Sequence, residues 1–156
     1  METVLKVNNI SKVYSKIAVV NNINMNIKKG DIYGFIGKNG AGKTTLIKMI
    51  VGLTNPTSGS LELFNSSDLN AGRRKIGTVI ESPSFYPNLS AKDNMLIQCK
   101  LLGPCDLSII DETLNLVGLG NIGKEKVKKF SLGMKQRLGI AMSLMGKPEF
   151  LVLDEQ

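Results

Sequence analysis

A chain of 156 residues with 42% apolar and 21% charged residues has the composition of an ordinary globular protein, with room for one core or a core carrying a small inserted subdomain. No apolar run approaches the length of a membrane span, and Met1-Glu2-Thr3-Val4 is not the start of a secretory signal, so a cytoplasmic protein is expected whose membrane role, if any, runs through a partner. The 20 basic and 13 acidic residues give a net charge of +7, yet the lysines are spread along the chain and neither a recognition helix nor an aromatic platform accompanies them, so a solvated basic surface is expected and nucleic acid is not.

In chain order, Val4-Leu5-Lys6-Val7 and Ile23-Asn24-Met25-Asn26-Ile27 alternate as half-buried strands do and predict an antiparallel piece. Tyr14 lies between them in a polar loop, either as an edge aromatic packed on the sheet or as a stacking face for a purine ring; the sequence leaves both open. After a turn at Lys29-Gly30-Asp31, the apolar run Ile32–Ile36 predicts a buried strand, followed by Gly37-Lys38-Asn39-Gly40-Ala41-Gly42-Lys43-Thr44-Thr45 and a helix. This is the spacing of a phosphate-binding loop in its strand–loop–helix setting. Glycines let successive N–H groups converge on one anion, and the helix start adds its partial positive charge. Lys43 is placed to reach the outer phosphates and Thr44 to ligate Mg²⁺ through its hydroxyl.

Stop and turn residues follow at Gly52 and Asn55–Gly59, then an alternating strand at Ser60–Phe64, a polar connection from Asp68 to Lys75, and a short buried strand Ile76–Ile80 ending at Glu81. A carboxylate just past a core strand is placed to touch a ligand or its metal, or to be a solvated loop residue. From Ser90 the pattern turns helical: a cap at Ser90–Asp93, an apolar stripe through Met95, Leu96, Cys99 and Leu102, a stop at Gly103-Pro104, and a second helix from Ser108 to Gly118. Cys99 and Cys105, without histidine nearby, form neither a disulfide framework nor a metal set and are expected in packing or surface roles. A basic loop spans 123–129, and residues 82–130 are expected as a helical subdomain inserted between a core (1–81) and the last segment (131–156).

That last segment opens at Phe130-Ser131-Leu132-Gly133-Met134, where Ser131 has the place of a helix N-cap, with Leu138, Ala141, Met142 and Met145 as the stripe behind it. A capping serine and a glycine N–H at a helix start are also anion donors. Phe150-Leu151-Val152-Leu153 then predicts a short buried strand ending in Asp154-Glu155. Two carboxylates there are costly unless they face a cation or water, which suits Asp154 to holding Mg²⁺ through its water shell and Glu155 to accepting a proton from an attacking water.

The order of these features resembles the nucleotide-binding domain of an ABC transporter over the whole chain. The resemblance implies an α/β P-loop NTPase fold: a RecA-like core with an N-terminal antiparallel β piece and an inserted helical subdomain. It implies ATP and Mg²⁺ as cofactors, with Gly37, Asn39, Gly40, Ala41, Gly42, Lys43, Thr44 and Thr45 as the Walker A phosphate site and Tyr14 as the adenine-stacking aromatic. Ser131 and Gly133 take the place of the signature that caps ATP on a second copy in a head-to-tail dimer; Asp154, Thr44 and Glu81 become metal-site candidates, and Glu155, Lys43 and Glu81 catalytic ones. A separate membrane permease is the implied partner, holding the ATPase at the inner face of the cell membrane. Glu81 stands where most of the family has glutamine, and Ser131-Leu132-Gly133-Met134 replaces Ser-Gly-Gly-Gln. Both are similar to the bacitracin-resistance and lantibiotic-immunity branch, which implies export of a peptide antibiotic. Family members continue past the catalytic glutamate to a switch histidine, whereas this chain has no histidine and stops at Gln156. A domain incomplete at its C-terminus is therefore expected, binding nucleotide weakly and hydrolysing it poorly or not at all. The alternatives are a non-catalytic nucleotide-binding fragment and a soluble ABC-type ATPase.

Overall fold

The computed structural model describes residues 2–103 and 106–154, which divide into two compact units at the 76/77 junction. The first is built on a three-stranded antiparallel sheet in the order β2-β1-β3, with β1 Thr3–Tyr14, β2 Ile17–Lys28 and β3 Ser58–Leu63. Val7 pairs with Met25 on one side and with Leu61 on the other, so the expected antiparallel piece is present. It is larger than the alternating stretches suggested. β1 and β2 each run 12 residues and join through Ser15 and Lys16, both at positive φ (46° and 72°), the backbone of a tight primed turn. Neither residue is glycine or asparagine, so the turn carried no sequence signal, and Tyr14 proves to be the last residue of a strand rather than part of a loop.

Leu5, Val7 and Ile10 of β1 are buried with Val20, Ile27, Leu61 and Leu63. Helix α1, Lys43–Val51, buries Leu46, Ile47, Met49 and Ile50 along one face and touches β2. Burial of four such side chains contributes about 1.5–3 kcal/mol apiece toward seating the helix. The expected polar connection after β3 holds a five-residue helix, α2 Leu69–Arg73, capped by Asp68, whose carboxylate accepts from the N–H groups of Asn70 and Ala71. Its shortness and its internal Gly72, which lies under Leu63, hid it from periodicity.

The expected buried strand at 32–36 is not formed: these residues have no strand geometry, and Ile32 and Ile36 are 103% and 95% exposed. An apolar run becomes a strand only where a ladder pairs with it. No ladder pairs with 32–36 among the described residues.

The second unit holds a two-stranded sheet of β4 Ile76–Val79 and β5 Phe150–Leu153, with α3 Ala91–Leu102, α4 Ser108–Leu116 and α5 Leu132–Leu144. The N–H of Asp154, just past β5, donates to the carbonyl of Val79, the last residue of β4, at 2.8 Å. The carboxyl ends of both strands therefore lie at one edge. Within β5 only Val152 is buried, with Leu151 and Leu153 exposed, so the strand is less enclosed than its apolar sequence suggested.

The three helices share one core, in which Met95 and Cys99 of α3, Ile110 and Leu114 of α4, and Leu138, Ala141 and Met145 of α5 meet Leu119, Val127 and Phe130. The serine cap of α3 is a full capping box with Asp93, as its sequence implied. Cys99 is fully buried in this core, and Cys105 lies outside the described residues. The basic stretch before α5 is more ordered than a plain loop. It includes a 3₁₀ turn at Val127–Lys129 and is held by backbone bonds from Ala91 to Glu125, Lys92 to Gly123 and Val127 to Leu89. Among the described residues, no helix is long and apolar enough to cross a membrane.

Candidate functional site

The loop at 37–42 gains its shape from two glycines and one lysine. Gly40 and Gly42 have φ of 79° and 88°, a region that a side chain makes costly, and a Cβ at Gly42 would overlap the carbonyl oxygen of Val19 on β2. The chain can turn this tightly against the sheet only with glycine at position 42. Gly42 is also the N-cap of α1 and offers no side chain to it, so the first-turn N–H groups have no side-chain partner. Ala41 donates to Lys38, which closes the turn that presents Asn39 and Gly40.

Lys43 folds back across this loop. Its Nζ donates to the carbonyls of Gly37 at 2.6 Å and Lys38 at 2.9 Å, leaving one of its three protons for another acceptor. Thr44 and Thr45 follow in the first turn of α1, both half-buried. Positive charge, unpaired helix N–H groups and a side-chain-free loop thus converge on one spot, the arrangement that holds a polyphosphate.

The far end of α1 is fixed by a residue that its sequence position did not single out. Arg73 of α2 donates from Nε to Ile50 at 3.1 Å and from a terminal nitrogen to Met49 at 3.2 Å, a cationic cap on the last-turn carbonyls. Gly52, at φ 88°, leaves the space: a Cβ there would stand 2.7 Å from the guanidinium.

Tyr14 sits at the tip of the β1–β2 hairpin, 47% exposed, opposite Ile17 and thus two residues along β2 from the Val19 carbonyl that Gly42 abuts. The structure therefore carries the aromatic and the phosphate loop at the same end of the first unit.

In the second unit, Asp154 and Glu81 follow the carboxyl ends of β5 and β4, and so share one sheet edge. Asp154 is only 7% exposed, and its Oδ2 has no hydrogen-bond partner. A buried carboxylate oxygen without a donor fits a metal ion or a metal-bound water. Among the described residues no cluster of three or more acidic, cysteine or histidine side chains forms, so a metal here needs ligands such as a threonine hydroxyl, phosphate oxygens and water. Glu81 is exposed and at φ 57°, a left-handed conformation rare for glutamate. Glu155 lies outside the described residues.

Ser131 caps α5, its Oγ accepting from the Met134 N–H at 3.2 Å. Gly133 is exposed with nothing within 4 Å of a Cβ built on it, and Leu132 beside it is 75% exposed. One turn on, Arg137 donates to the carbonyls of Val117 and Gly118 and closes the end of α4.

A loop of this geometry leading into α1, in an α/β chain with acids at the carboxyl edge of its second sheet, defines a phosphate-loop NTPase. The chain belongs to the ABC transporter family, whose model matches residues 20–156. It is 49% identical to the bacitracin transport ATP-binding protein BcrA of Bacillus licheniformis, over 99% of this chain and 52% of that protein. It is 52% identical to the lantibiotic transport ATP-binding protein SrtF of Streptococcus pyogenes, over 97% of this chain and 66% of that one. It thus spans about half to two-thirds of the length of these curated relatives. Among solved structures, an ATP-binding cassette described as a dimeric post-hydrolysis state bound to ADP and Pi superposes with a TM-score of 0.85 at 28% identity, covering 97% of this chain and 73% of that one.

Proposed function

We propose that this chain is the ATP-binding part of an ABC exporter that moves a peptide antibiotic or related substrate out of the cell. The observation that carries the nucleotide site is the loop at 37–45: an α1 start without a side-chain cap, beside the Lys43 ammonium. The names of two of its relatives, one a bacitracin and the other a lantibiotic transport ATP-binding protein, support the substrate class.

In this reading the N–H groups of residues 39–45 and Lys43 bind the phosphates, and Tyr14 stacks on the base. Thr44, after the loop, is a candidate Mg²⁺ ligand through its hydroxyl; in the second unit Asp154, whose Oδ2 is unpaired, is another, with Glu81 at the same strand edge as Asp154. When bound, Mg²⁺ would offset the negative charge of the phosphates. Glu155 accepts the proton of the attacking water. The exposed Ser131-Leu132-Gly133 turn fits against the ATP of a second copy, so that ATP closes a head-to-tail dimer. A separate permease spans the membrane and holds this subunit at its cytoplasmic face.

Lys43→Ala is the test. Loss of an ammonium bonded to phosphate is expected to weaken Mg-ATP binding by about 3 kcal/mol, roughly a hundredfold in Kd. In cells carrying the whole transporter, the same change should abolish resistance to the exported peptide. Unchanged ATP affinity with the fold intact would overturn the proposal.

A further inference from the structure

Lys12 is not part of the phosphate loop, yet it is bound to the base-side aromatic. It lies two residues before Tyr14 on β1 and thus on the same face of the strand. Its Nζ stands 4.9 Å from the centroid of the Tyr14 ring, within the range of a cation–π contact, and donates to the carbonyl of Asn55 at 2.6 Å. The ammonium is therefore anchored from both sides. Asn55 belongs to the turn behind α1, and that turn is itself tied to β1: Thr57 donates its N–H to Ser11 and accepts the N–H of Val13 at Oγ1. At the rim of the ring, Tyr14 Oη lies 3.5 Å from Thr54 Oγ1.

We propose that Lys12 is a positioning residue that sets nucleobase recognition: its ammonium closes one face of Tyr14 and leaves the other as the stacking platform for a purine. The proposal rests on the stacking role of Tyr14 given above and adds which face stacks and what holds it. A half-exposed tyrosine at a hairpin tip has little packing to fix its plane; the Thr54 hydroxyl holds its rim, and the tethered cation adds a constraint on its face. Because that cation is committed to Asn55 and to the ring, it acts on the base end of the ligand and not on the phosphates.

Inorganic tripolyphosphate, which has the phosphates without the base, separates the two ends. Calorimetric titration of the whole chain with Mg-ATP and with tripolyphosphate is compared for the parent, Lys12→Met, Lys12→Gln, Lys12→Arg and Tyr14→Leu. Lys12→Met and Lys12→Gln, the latter retaining a donor for Asn55, should each weaken ATP about threefold and leave tripolyphosphate unchanged, while Lys12→Arg restores the parent value. An equal loss for both ligands, or none for either, overturns the role of Lys12. If Tyr14→Leu leaves the preference for ATP over tripolyphosphate intact, the stacking reading itself falls.

Discussion

The two helix starts proposed to meet phosphate, α1 and α5, are built in opposite ways. α1 begins at a glycine in left-handed conformation, packed against the Val19 carbonyl and without a side-chain cap; α5 begins at Ser131, whose own hydroxyl oxygen takes up a first-turn N–H. The first start leaves its donors for a ligand, and the second is satisfied before any ligand arrives. Charge divides in the same way. Residues 1–76 hold eleven basic and four acidic residues, and residues 77–156 hold nine of each, so the whole net charge of +7 belongs to the unit with the open start. A self-capped start in a neutral unit suits a surface that meets phosphate only when another copy presents it.

Two glycines test this difference with the largest expected effect. Gly42→Ala must hold a Cβ at φ 88° against a backbone oxygen and should destabilise the first unit by about 3 kcal/mol, with loss of ATP binding. Gly133→Ala meets nothing within 4 Å and should leave stability within about 0.5 kcal/mol. Urea unfolding checks both. Any loss of ATP-dependent self-association in stable Gly133→Ala then measures the approach of a second molecule to α5.

The contrast also shows what the sequence could disclose. The loop and α1 were legible because a phosphate loop is a local object, its glycines, lysine and threonine fixed within a dozen residues. The caps at Ser90 and Ser131 were legible for the same reason, each needing only three residues of context. The strand expected at 32–36 was misread because a strand exists only with a partner, and pairing is not written in the strand's own residues. The hairpin turn at Ser15-Lys16 was missed because its positive φ values fall on residues that do not advertise them. Arg73 and Lys12 were invisible as positioning residues: their carbonyl partners lie 23 and 43 residues away.

Arginines at helix ends give the next effect, and again the units differ. Arg73 is part-buried where it caps α1, whereas the bonds from Arg137 to the end of α4 are exposed. Arg73→Ala should cost about 2 kcal/mol, since two part-buried carbonyl bonds to a charged donor are lost, and Arg137→Ala about 0.5 kcal/mol. Thermal melts of the two variants should therefore separate clearly. Equal shifts would mean that the end of α1 is not the better-protected one, and that the phosphate loop is not anchored from behind.

The smallest effect is the most discriminating. Ser90 and Ser131 make the same bond, a hydroxyl oxygen accepting the N–H three residues on, at 3.1 and 3.2 Å. Replacing either with alanine should cost about 1 kcal/mol. If capping were all that Ser131 did, Ser131→Ala, like Ser90→Ala, would lower stability and leave ATP-dependent self-association intact in the folded protein. In a dimer where Ser131 also meets ATP, its hydroxyl proton remains free to donate while its oxygen accepts from Met134, so one side chain serves both contacts. Ser131→Asp separates the roles: it keeps the cap and the stability but brings a negative charge toward phosphate. Restored stability with ATP-dependent self-association still lost would assign Ser131 to the ligand, whereas recovery of both would leave it a cap and nothing more.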